Sequence, residues 1–170
     1  MVKMTTREID KKTIYSYLEQ VQDPEVPALN VIDMGIVRDV QLHDDGCLEI
    51  VITPTYSGCP AMDVISMNIR ILLSTIGFKQ IKITQALSPA WTTDWMSEEG
   101  KRKLRNYGIA PPNPKQQVCS EKLFAPNEAV QCPHCDSWHT HRVSEFGSTP
   151  CKSLFVCDDC KEPFDYFKCH

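Results

Sequence analysis

Apolar residues recur at Ile14, Tyr17, Leu18 and Val21, the i, i+3, i+4, i+7 spacing of one helix face. Thr5-Thr6-Arg7-Glu8 ahead of them offers a capping box, and Pro24 and Pro27 forbid continuation. The spacing therefore predicts a helix over 6–21. Two β-branched runs follow, Ile36 to Leu42 and Cys47 to Thr53, joined by Asp44-Asp45-Gly46, which reads as a hairpin turn. Met62, Ile65, Ile69, Leu72, Leu73 and Ile76 trace a second helix, with Gly77 as its left-handed cap. Ile81 and Ile83 alternate with polar neighbours, as a half-buried strand requires.

The order helix, strand, strand, helix, strand predicts an α+β fold: a compact α-β-β-α-β domain over 6–86. An extension over 87–118 carries Trp91, Trp95 and Met96, then a charged stretch from Ser97 to Tyr107 that reads as a short exposed helix. Pro111-Pro112-Asn113-Pro114 marks the expected boundary. A small cysteine-rich module over 119–170 completes the chain.

Charge narrows the function classes. The formal net charge is -4 in 170 residues, and the last module holds 5 Lys/Arg against 8 Asp/Glu. Neither half has the basic face that phosphate neutralisation demands, so no nucleic-acid partner is expected. No apolar run approaches the roughly 20 residues of a membrane span, and Met1 to Lys12 has no signal-peptide core. A cytoplasmic protein is expected. Nine cysteines in a reducing compartment point to metal or thiol chemistry.

Cys132-Pro133-His134-Cys135 and Cys157-Asp158-Asp159-Cys160 are paired C-x-x-C knuckles. Two such turns bring four soft thiolates together as a tetrahedral zinc site asks. The surrounding segment has few aliphatics. Phe124, Trp138, Phe146, Leu154, Phe155, Phe164, Tyr166 and Phe167 make a thin core, so a structural metal would supply the missing folding energy. Zinc is the expected ion, with an iron–sulfur cluster left open. Cys119, Cys151 and Cys169 are spare thiols, and His134, His139 and His141 read as surface residues.

In the first domain, Ser57-Gly58-Cys59-Pro60 stands immediately before the second helix. Pro60 fits the first helical position, which places Cys59 near the N-cap, where the helix dipole favours thiolate. An accessible, reactive thiol is expected there; a small core cysteine preceding a helix is the plainer reading. Asp23-Pro24-Glu25-Val26-Pro27 presents two carboxylates on a stiff loop, as hard ligands beside that thiolate or as the solvated acids of a helix stop. Cys47 opens an apolar strand and reads as a packed hydrophobe.

Asp23-Pro24-Glu25-Val26-Pro27, Asn30-Val31-Ile32-Asp33-Met34-Gly35-Ile36-Val37 and Thr53-Pro54-Thr55-Tyr56-Ser57-Gly58-Cys59-Pro60-Ala61-Met62 together resemble the SufT-like iron–sulfur assembly family over roughly 8–86. The resemblance implies metal or cluster transfer at Cys59, with Asp23 and Glu25 as its acidic loop, and transient binding of iron or an iron–sulfur cluster. Trp91-Thr92-Thr93-Asp94-Trp95-Met96, Tyr107-Gly108-Ile109-Ala110-Pro111-Pro112, Glu145-Phe146-Gly147-Ser148-Thr149 and Glu162-Pro163-Phe164-Asp165-Tyr166-Phe167-Lys168 extend it. They resemble the accessory-subunit family of bacterial phenylacetyl-CoA epoxidase systems. This implies a part in aerobic phenylacetate breakdown, with the reductase and di-iron oxygenase subunits as partners. A non-catalytic accessory role is expected, since no Glu-x-x-His pair, Gly-rich dinucleotide turn or nucleophile elbow is present. A structural or electron-transfer subunit and a thiol-redox protein are the alternatives. The oligomeric state, a homodimer included, stays open.

Overall fold

A computed structural model describes residues 10–112 and 130–168. The chain divides into two units, one of residues 1–91 with 95–97 and one of 92–94 with 98–170.

In the first unit, helix α1 runs Lys11–Leu18 and buries Ile14 and Leu18. It is shorter than the predicted 6–21. Asp10, in extended conformation, caps it by accepting the Thr13 N–H at 2.8 Å, and the expected capping box at Thr5 to Glu8 lies outside the described residues. Strands β1 (Val37–Leu42) and β2 (Leu48–Ile52) form the antiparallel hairpin, with Val40 opposite Ile50. Its turn works because Gly46 takes a φ of +82° and the Asp45 carboxylate accepts the Cys47 N–H. Cys47 lies half-buried at the turn, just ahead of β2.

Helix α2 (Ala61–Ile76) then crosses back, and β3 (Ile81–Gln85) pairs parallel to β2, giving the sheet order β1-β2-β3. Gly77 ends α2 at φ +119°. Leu48, Ile50 and Ile52 of β2 and Ile65, Ile69 and Leu73 of α2 are fully buried aliphatics, each side chain contributing about 2 kcal/mol.

The segment after β3 packs back onto this unit. Trp91 is buried and donates its indole N–H to the Met34 carbonyl at 2.9 Å. Gly35 holds a φ of +66°, and a Cβ there would collide with the Trp95 carbonyl oxygen. Only glycine fits, which explains the Asn30–Gly35 motif. Asn30 Oδ1 accepts the N–H groups of Ile32 and Asp33, and the turn delivers Gly35 beneath the tryptophan segment.

In the second unit, α3 (Glu98–Asn106) is not the wholly exposed helix expected: it buries Gly100 and Leu104, and its outer side carries the i, i+3 ion pairs Lys101–Glu98 and Arg102–Glu99. Strands β4 (Ile109–Ala110), β5 (Thr140–Ser144), β6 (Lys152–Cys157) and β7 (Pro163–Phe167) form a sheet ordered β4-β7-β6-β5. β4 precedes the proline run that marked the expected boundary, and it is already a member of this sheet, paired parallel to β7. Phe155 stacks on Phe164 and meets Tyr166 edge-on, at centroid separations of 5.9 and 5.7 Å. Ala110, Val130, Cys132 and Cys157 complete a small core. Trp138 and Phe146, expected within it, are exposed, and Phe124 lies outside the described residues. No helix among the described residues is long and apolar enough to cross a membrane.

Candidate metal centre and thiol site

The C-terminal cysteines meet as a quartet. The sulfurs of Cys132, Cys135, Cys157 and Cys160 all lie within 4.8 Å of one another. Two edges are resolved, Cys132 to Cys160 at 3.7 Å and Cys135 to Cys157 at 3.5 Å. A tetrahedron with Zn–S bonds of ~2.3 Å has edges of about 3.8 Å. The donor set therefore fits one tetrahedral, thiophilic ion.

The two knuckles are built alike. Each first cysteine accepts an N–H four residues on, Asp136 to Cys132 at 3.1 Å and Lys161 to Cys157 at 3.0 Å. Each donates its own N–H five residues on, to Ser137 and to Glu162. The residue after each second cysteine is left-handed, Asp136 and Lys161 both at φ +65°. Their role is legible in sequence only as a shared offset, because neither is glycine. Cys132 and Cys157 are buried, while Cys135 is exposed and Cys160 half-buried, so the site sits at the rim of the small core.

Electrostatics shows what the quartet lacks by itself. Burial opposes ionisation of Cys157, yet N–H groups of Cys160 and Asp159 bring its thiol down to about 7. At Cys160 the Glu162 N–H favours thiolate, but burial and the neighbouring sulfurs push the thiol up to about 12. One charge is accommodated and another resisted, a conflict that a divalent cation removes. Among the described spare thiols, Cys151 is buried with its sulfur 3.1 Å from the Thr149 hydroxyl. Cys119 and Cys169 lie outside the described residues. His134, His139 and His141 are exposed, and the last two pair with Asp159 and Asp158.

Cys59 has a different setting. Pro60, not Cys59, is the cap of α2, so the thiol stands just outside the helix, half-buried. Its pKa is raised, opposite to the expectation from the helix dipole. Burial is the largest cause, and the charges of Glu25 and Asp23 add to it. The Ala61 N–H and the Thr55 hydroxyl act the other way and are outweighed. The same electrostatics places the acidic loop beside Cys59, an adjacency that sequence leaves open.

The loop itself is a closed structure. Asp23 Oδ1 accepts the N–H groups of Glu25 at 2.7 Å and Val26 at 2.8 Å, the Asp23 N–H reaches the Leu29 carbonyl, and Val26 and Leu29 are buried anchors. Asp23 is buried and Glu25 half-buried. Thr55, buried beside Cys59, is the member of the site that sequence reasoning missed. Its only signal is its place in the Thr53–Met62 motif.

Comparison with known proteins aligns with this division. The family described as iron–sulfur cluster assembly protein matches residues 11–82. The PaaD zinc beta ribbon domain matches residues 116–168. The chain is 49% identical over 156 residues to the putative 1,2-phenylacetyl-CoA epoxidase D component of Escherichia coli (strain K12), spanning 92% of this chain and 91% of that protein. It is 36% identical over 95 residues to an Fe-S protein maturation auxiliary factor of Porphyromonas gingivalis, spanning 55% of this chain and 90% of that one. A crystal structure of the domain of unknown function DUF59 from Bacillus anthracis superposes with a TM-score of 0.52 at 29% identity, covering 55% of this chain and 90% of that one.

Proposed function

The chain belongs to the family of the phenylacetyl-CoA epoxidase D components, with an iron–sulfur cluster assembly domain followed by a PaaD-type zinc ribbon, and from this premise we propose that it is an accessory maturation subunit of such an epoxidase, helping a metal centre of a partner subunit to assemble. The partners are the reductase and di-iron oxygenase components, and the reductase iron–sulfur cluster is the favoured client. The observation that carries the reading is the grouping of Cys59 with Glu25 and Asp23 at the mouth of α2, in the domain that resembles dedicated iron–sulfur maturation factors.

Cys59 and the two carboxylates are the transfer site for iron or a cluster. A raised thiol pKa suits a carrier. Transfer is a ligand exchange without change of oxidation state: a client thiolate bonds to the metal as the Cys59–metal bond breaks, and the released Cys59 thiolate takes up a proton. A sulfur that prefers its proton competes weakly for metal once released. The ribbon cysteines hold zinc, whose part is structural.

Co-expression tests this. Epoxidase components produced with the Cys59→Ala protein are expected to contain less iron and sulfide in the reductase than those produced with the wild type. Equal iron, sulfide and epoxidation activity in the two preparations would overturn the reading.

A further inference from the structure

Helix α2 has two apolar faces, and the fold buries one. Met62, Ile65, Ile69 and Leu73 are buried. On the other side Val64, Met67 and Ile71 stand 41, 55 and 54% exposed, and Pro60 at the cap is exposed as well. Positions 60, 64, 67 and 71 alternate steps of four and three. At 100° per residue they fall in a sector of about 60°, the narrow seam through which one helix packs knobs-into-holes on another. Asp63 and Arg70, both exposed, flank it on one side, and exposed Ser74 ends it. A helix face that stays in water does not need such a seam.

We propose that this seam is the surface on which the client protein docks while Cys59 serves it, and that the client lays an amphipathic helix along it. The inference rests on the maturation reading above. Continuity argues for it: the stripe starts at Pro60, the residue after Cys59, so a client seated there has its acceptor beside the thiol. Size argues for a client over a permanent second copy. From Pro60 to Ile71 the helix rises only about 17 Å. Four side chains over that length bury well under the roughly 800 Å² per partner of a stable interface, which suits an encounter that must end after transfer. Met67 at the centre supplies a flexible, polarisable contact that adapts to its partner.

The test uses the full chain with Met67→Glu and Ile71→Glu made separately, and the purified reductase and oxygenase components as probes. Calorimetry is expected to show each variant weakening binding to one component by more than about tenfold, as a charge placed in an apolar contact should. The melting temperature and the Cys59 alkylation rate should match wild type, and cluster content of the co-expressed client should fall. A photocrosslinker at this position, Met67→p-benzoylphenylalanine, should link to the same component. Wild-type affinity in both variants, with Cys59→Ala still lowering cluster content, would remove the docking claim and leave maturation standing. A crosslink between two copies, with a dimer that Met67→Glu dissociates, would make the seam a self-interface and overturn the proposal. If neither component binds and Cys59→Ala changes nothing, the maturation reading fails and docking falls with it.

Discussion

The two units place sulfur in opposite circumstances. In the ribbon, four sulfurs are drawn within 4.8 Å by knuckles of matching backbone geometry. In the first unit a single thiol stands at a helix mouth beside two carboxylates, and the surrounding fold is secured by an aliphatic core that does not involve it. The quartet is built to keep an ion, because its four charges tolerate one another only around a cation. The first unit rests instead on fully buried aliphatics, Leu48, Ile50 and Ile52 with Ile65, Ile69 and Leu73, and its fold does not depend on a ligand at Cys59. The contrast is between a unit whose folding is coupled to an ion and one whose folding rests on apolar burial.

The largest expected effect breaks the ribbon side of this contrast. Chelation, or Cys132→Ser, should remove metal-binding free energy on the order of 10 kcal/mol and unfold the second unit. Far-UV circular dichroism with metal analysis checks it, and an unchanged melt with full metal content would contradict it. Next comes the converse. Ile50→Ala, at a fully buried position of β2, should destabilise the first unit by about 3 kcal/mol while metal content stays at the wild-type value, measured by urea unfolding and elemental analysis.

A smaller effect probes the lone thiol. Glu25→Gln removes a charge that raises the Cys59 pKa, so more thiolate forms at a given pH. Alkylation at pH 8 should quicken roughly threefold, and a slower rate would show the carboxylate acting otherwise. Because the wild-type thiol lies above its ordinary value, its alkylation rate should still be climbing at pH 9.

The smallest effect concerns acid. Glu49 is held down to about 2, first by the Thr84 hydroxyl and then by Lys82 and His43. A carboxylate with a depressed folded-state pKa adds stability above its unfolded pKa, and that addition is lost as pH falls toward 2. Glu49→Gln should therefore flatten the stability of the first unit between about pH 4.5 and 2, followed by denaturant midpoints. The wild-type slope retained in the variant would exclude Glu49 as its source.

Much of the first unit was legible from periodicity. The stripe from Met62 to Ile76 and the Asp44-Asp45-Gly46 turn place α2 and the hairpin because each rests on short-range rules, one of helical phase and one of turn conformation. The start of α1 was not legible: Asp10 and the Thr5–Glu8 segment both carry capping side chains, and pattern alone does not rank them. Trp138 and Phe146 were assigned to a core by type, yet both are exposed, while the ligand cysteines Cys132 and Cys157 are themselves part of the small core; residue type alone does not say which side of a short strand or loop faces inward. The direction of the Cys59 pKa was misread for a related reason. A helix dipole is visible in sequence, whereas burial and carboxylates brought in from residues 23–25 are not.

The spacing of the cysteines and the phase of the apolar residues were determined by sequence alone, because both depend on neighbours a few positions apart. Tertiary structure decided which loops share a site, which tryptophan closes over Gly35, and which face of α2 is left in water. Those are contacts between residues distant along the chain, and their energies exist only once the chain has closed on itself.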